Sequence, residues 1–70
     1  MNTTYDTLPY TAREAMWLID GGVSPEEACA RVGIKVESLE TTLGRRGMAD
    51  QRVGQAVMRV TNRDRRKAAA

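Results

Sequence analysis

Arginine supplies most of the charge chemistry in this sequence, and it is unevenly placed. From Gly44 to Ala70, Arg45, Arg46, Arg52, Arg59, Arg63, Arg65, Arg66 and Lys67 face only Asp50 and Asp64, a net charge of +6. From Met1 to Leu43, three bases stand against seven acids, a net charge of −4. Guanidinium forks match phosphate oxygens in geometry and charge. An asymmetry of this size points to a polyanion partner, although a solvated charged tail would use the same residues. Just upstream, Lys35, Glu37, Ser38, Thr41 and Arg45 follow a spacing that brings them to one side of a helix. Arg, Ser and Thr can bond base edges or phosphates, and a carboxylate can accept from cytosine N4.

Other chemistries lack their residues. Histidine is absent and Cys29 is the only cysteine, so neither a zinc site nor a Cys/His catalytic pair can be assembled. The chain has no convergent acid, base and nucleophile, which speaks against a nuclease or another enzyme. Nothing calls for a metal, a cofactor or a small-molecule substrate. With one cysteine there is no intrachain disulfide, which suits a reducing cytoplasm. The N-terminal residues do not read as a signal peptide, and no apolar run approaches the roughly 20 residues of a membrane span.

The elements that must position these residues read as helices. Met1 to Tyr10 form an arm, with Tyr5 and Leu8 available to pack back. Thr11 and Glu14 have the spacing of a capping box, Tyr10 and Ala15 that of a hydrophobic staple. Ala12, Ala15, Met16 and Ile19 then recur at helical period until Gly21-Gly22. Ser24-Pro25-Glu26-Glu27 starts a second helix, with Ser24 as cap, Pro25 in the first turn, Glu27 completing the box and Val23 stapled to Ala28. Its face of Pro25, Ala28, Cys29 and Val32 is small enough for a close helix crossing, and Gly33 ends it. Val36, Leu39 and Leu43 define a third helix, poorly capped by Lys35 and loosened at Gly44 and Gly47. Ala49, Val53, Ala56, Val57 and Val60 place a fourth helix, with Arg52, Gln55, Arg59, Arg63 and Arg66 opposite. A hairpin over residues 51–60, turning at Gly54, is the alternative.

Residues 24–43 thus pair two short helices across a glycine turn, with Ile34 and Leu39 plugging the core beneath it. In this stretch, and over Ala12 to about Arg46, the sequence resembles the helix-turn-helix superfamily. The likeness is to the three-helix, homeodomain-like type and to short helix-turn-helix regulators of actinobacteria and their phages. Cys29 stands where such motifs usually hold alanine, and Lys35 where they hold a capping Ser or Thr. The resemblance implies an all-α fold: an arm over residues 1–10, a three-helix helix-turn-helix core over 11–46, a basic amphipathic C-terminal helix over 47–67 and a frayed tail over 68–70. It implies a partner, double-stranded DNA, and makes the third helix the one that enters the major groove. Base reading is then expected from Lys35, Glu37, Ser38, Thr41 and Arg45, and phosphate binding from Arg46, Arg52, Arg59, Arg63 and Arg66.

The acids Glu37 and Glu40 on the third helix leave open a different use of the same fold, a non-enzymatic module binding a host or phage protein. Trp17 lies about 140° from Ala12 on the helical wheel and is expected to pack against the arm or the fourth helix. Cys29 reads as a small core residue. Met58 falls off the apolar face and marks a surface through which the C-terminal helix can form a homodimer. A membrane-surface role suits that helix poorly, because its apolar face lacks Leu, Phe and Trp.

Overall fold

The computed structural model describes residues 5–69, with side chains through residue 65, and contains four helices and no strand among them. They are α1 (Tyr10–Asp20), α2 (Pro25–Val32), α3 (Val36–Arg45) and α4 (Gln51–Ala69). The hairpin alternative for residues 51–60 is thereby replaced by helix. Of the arm, residues 1–4 lie outside the description, as does Ala70 of the tail.

Helix α1 begins differently from the sequence expectation. Pro9 is its N-cap and no side chain caps it. The Pro9 carbonyl accepts from Arg13 N–H at 2.9 Å, so Thr11 already lies inside the first turn. Glu14 accepts from Tyr10 Oη at 2.8 Å instead of reaching back to a cap. Tyr10 is 65% exposed, so the staple with Ala15 does not form either. Helix α2 follows its signals more closely: Ser24 Oγ accepts from Glu27 N–H at 3.2 Å, and Pro25 occupies the first turn. The Glu27 carboxylate points forward to Arg31 at 3.2 Å, not back to the cap.

Glycine ends the second helix for a definite reason. Gly33 has φ +87°, where a β-carbon would crowd the backbone, and there Ile34 N–H can close onto Cys29 O at 3.0 Å. Equivalent closures, Val23 N–H to Leu18 O and Met48 N–H to Leu43 O, follow α1 and α3. Helix α4 begins after Asp50, whose Oδ1 accepts from Arg52 N–H at 2.8 Å as an N-cap carboxylate does. It therefore starts four residues beyond the expected boundary at Gly47 and extends to Ala69.

The core contains Ala12, Ala15, Met16 and Ile19 of α1, Ala28 and Cys29 of α2, Val36, Leu39 and Leu43 of α3, and Val53 and Ala56 of α4. Tyr5 and Leu8 close it from the arm. Ala15 and Ala28 are fully buried, which lets α1 and α2 pack closely, while α4 lies against α3 and α2. Met48, Val57 and Ile34 pack at the edge, but Ala49 is exposed. Trp17 does not pack as expected: it is 44% exposed. The buried stripe of α1 runs through Ala12, Ala15, Met16 and Ile19, and Trp17 lies off it. Past Val60, residues Thr61–Arg65 are all exposed, and α4 leaves the core as a projecting helix.

Candidate nucleic-acid interface

Lys35 is the N-cap of α3 and makes no side-chain capping bond. Glu37, Ser38, Thr41 and Arg45 are exposed along the helix that follows, so the five residues expected to read bases share one accessible element. Their donors are not all free. Thr41 Oγ1 donates to Glu37 O at 3.0 Å, and Thr42 Oγ1 donates to Ser38 O at 2.9 Å. The Thr41 hydroxyl therefore presents its lone pairs outward and suits a base donor such as an exocyclic amine. Glu40 leans toward α4: a β-carbon at Gly54 would stand 3.6 Å from Glu40 Oε2. That places its charge beside the first turn of α4, where a helix N-terminus favours a carboxylate. Of the two acids on this helix, Glu37 is the one aligned with the residues expected to read bases.

At the C-terminal end of α3, Arg45 and Arg46 line a cleft of about 420 Å³ with Thr42 and Pro9. Among the described residues, no carboxylate lies within ion-pair distance of either guanidinium. Both are solvent-exposed. Nearby on α1, Arg13 stacks over the Tyr10 ring at 5.7 Å.

The arginines of α4 are placed otherwise. Arg52 Nη2 donates to Asp20 Oδ1 and Asp50 Oδ2, each at 2.8 Å, and its Nε donates to Asp50 Oδ1 at 3.1 Å. This pairing raises the Arg52 pKa and holds the Asp50 carboxyl below its ordinary range. Asp20 also accepts from Tyr5 Oη at 2.9 Å, so one carboxylate ties arm, α1 and α4 together. Burial first, and then that hydrogen bond, raise the Tyr5 pKa. Glu26, in the first turn of α2, accepts from Arg59 Nε at 3.0 Å and Nη2 at 2.8 Å through Oε1, and from Arg63 Nη2 at 3.4 Å through Oε2. The side chain of Arg66, the last of the expected phosphate contacts, lies outside the described residues.

The expected phosphate contacts thus divide. Arg46 joins Arg45 beside Pro9, at the N-terminal end of α1, whereas Arg52, Arg59 and Arg63 line up along the turn between α1 and α2. The eleven residues of α1 separate the two places, about 16 Å along its axis. Sequence patterns could not show these long-range pairs, because Asp20–Arg52 and Glu26–Arg59 have no local periodicity. The Asp50 cap did have a signal: an aspartate just ahead of the apolar-periodic positions Val53, Ala56 and Val57.

Cys29 is buried and burial pushes its thiol pKa up, so it behaves as a small core residue. Among the described residues no helix is long and apolar enough to cross a membrane. No protein-family model, curated protein or solved structure matches this chain.

Proposed function

We propose that the protein is a non-enzymatic DNA-binding factor, a transcription regulator or recombination accessory protein, in which α1–α3 form a helix-turn-helix core and α3 enters the major groove. The carrying observation is the accessible side of α3, with Lys35, Glu37, Ser38, Thr41 and Arg45 exposed together and two guanidiniums at its end that meet no carboxylate among the described residues. The three-residue connection Gly33-Ile34-Lys35 supports the assignment, because its left-handed glycine ends α2 in a short turn of the kind that joins helix-turn-helix pairs. In this reading Lys35, Glu37, Ser38 and Thr41 face base edges. Arg45 works with Arg46 across the Pro9 cleft to hold backbone phosphates, which position the helix without reading sequence.

The test is a mobility-shift titration of the full chain against random-sequence duplex at several salt concentrations. The expected result is binding that weakens linearly on a log–log salt plot. The double substitution Arg45→Ala/Arg46→Ala should flatten that slope by roughly 0.9 per lost contact and weaken binding to every sequence alike. Absence of salt-dependent binding at low ionic strength overturns the reading.

One observation favours a second reading. Trp17 and Tyr10 are both exposed on α1, and tryptophan is the residue type most enriched at protein-binding hot spots. A protein partner on that side would lose affinity on Trp17→Ala, a substitution that should leave duplex binding unchanged.

A further inference from the structure

We propose that Arg59 and Arg63 form a two-guanidinium seat for the phosphate of a polyanion, nucleic acid under the reading above, and that the Glu26 carboxylate fills this seat in the free protein. The two arginines are four residues apart, one turn of α4, and close on the same small anion from one side. Arg59 grips one carboxylate oxygen with two nitrogens, and Arg63 reaches the other oxygen. A phosphodiester offers two non-bridging oxygens and the same single negative charge, so it can replace the carboxylate without changing the charge balance of the seat.

Three features make the exchange accessible. The pairs are open to water, with Arg59, Arg63 and Glu26 side chains 53%, 61% and 33% exposed, so their strength is low and screened by salt. Glu26 is not stranded by release, because it lies in the first turn of α2, where the helix dipole favours a negative charge. Arg63 also lies past the packed part of α4, where Thr61–Arg65 are all exposed, so its side chain can turn without disturbing the core. Arg52 is the contrast. Its side chain bonds two carboxylates and its backbone N–H is the donor that Asp50 caps, so it is committed to the fold and not to exchange.

The test compares Glu26→Gln with Glu27→Gln in the full chain, using heparin and random-sequence duplex as probes. Both variants remove one negative charge from the same turn, but only Glu26 fills the seat. Glu26→Gln is expected to elute from heparin at higher salt and to steepen the log–log salt slope by about 1 to 2, up to two added contacts at roughly 0.9 each. Glu27→Gln frees only Arg31, a single guanidinium outside the seat, so its slope should stay below that of Glu26→Gln. Adding Arg59→Ala/Arg63→Ala to Glu26→Gln should cancel the gain. Equal responses of the two Gln variants, or none from Glu26→Gln, overturn the seat. A heparin response as expected, with no duplex binding by any variant, upholds the seat and rejects the DNA reading alone. Should Glu26→Gln lose its helical circular dichroism, Arg59→Ala/Arg63→Ala in the native chain must still lower heparin affinity more than Arg52→Ala does, or the seat is rejected.

Discussion

The end of α3 and the exposed flank of α4 both carry arginines, yet they differ in what those arginines face. Arg45 and Arg46 border an open cleft and meet no carboxylate among the described residues. Arg52, Arg59 and Arg63 point back at Asp20, Asp50 and Glu26, in exposed pairs of which those to Asp20 and Glu26 link α4 to α1 and α2. The net charge of a segment therefore overstates its pull on a polyanion. The acidic first half of the chain and its basic second half partly answer each other within the fold. What remains for a partner is local: the α3 end at once, and the α4 seat after an exchange.

The strongest way to break this contrast is to undo the crossing that holds the acids in place. Ala28 is a fully buried residue of α2, which packs on α1; α1 ends in Asp20 and α2 carries Glu26 in its first turn. Ala28→Glu forces a carboxylate into that contact without a partner, at a cost of several kcal/mol against a domain stability of about 5. Thermal unfolding should show loss of the cooperative transition. A melting curve like that of the native chain would mean that α1 and α2 do not cross at Ala28.

A smaller effect sharpens the contrast by isolating the structural arginine. Asp50 has a depressed pKa, first through its hydrogen bond with Arg52, so the folded state prefers it ionised. The unfolded chain then binds its proton more readily than the native one. Stability from this group is present above the ordinary carboxylate value of 3.8 and is lost as pH falls through and below it. Asp50→Asn should weaken that acid-side decline, and Asp50→Ala should cost about 1 kcal/mol as the cap disappears. The measurement is urea unfolding at neutral and acid pH. An unchanged pH dependence in Asp50→Asn would assign the acid sensitivity to other carboxylates.

Much of the helical framework was legible because its signals are local. Ser24-Pro25 started α2 where expected, Gly22, Gly33 and Gly47 adopt positive φ where the chain turns, and Val36, Leu39 and Leu43 are buried as their spacing implied. Competition between local signals was harder to read. Thr11-Glu14 matched a capping box, but Pro9 already had the right backbone angles to precede a helix, and Tyr10 took the Glu14 carboxylate. The side bearing Trp17 was read correctly as off-stripe, yet what would cover it depended on tertiary placement of the arm. For the candidate interface, the exposure of Glu37, Ser38 and Thr41 followed from periodicity. The division of the arginines did not, since Asp20 and Glu26 lie more than thirty residues from their partners.

The smallest expected effect tests the reading residues against the phosphate grip. Glu37→Gln and Thr41→Val should each shift preference among duplex sequences, by up to about 1 kcal/mol, while the salt slope stays near that of the native chain. Competition binding with a randomised duplex pool, followed by sequencing, measures it. A uniform change across all sequences would move these side chains from reading to general electrostatics.

The glycine closures after α1, α2 and α3 also bear on how quickly the chain finds its shape. Each helix doubles back within a few residues of its end, and α1 packs mainly on its immediate successor. Loop closure then involves short segments and little entropy, the condition under which helical domains fold in roughly microseconds to milliseconds. Docking of α4 is the step that joins distant parts of the chain, and its ion pairs join an acidic early segment to a basic late one. A folding chain can therefore settle α1 onto α2 before α4 docks and its ion pairs with Asp20 and Glu26 close.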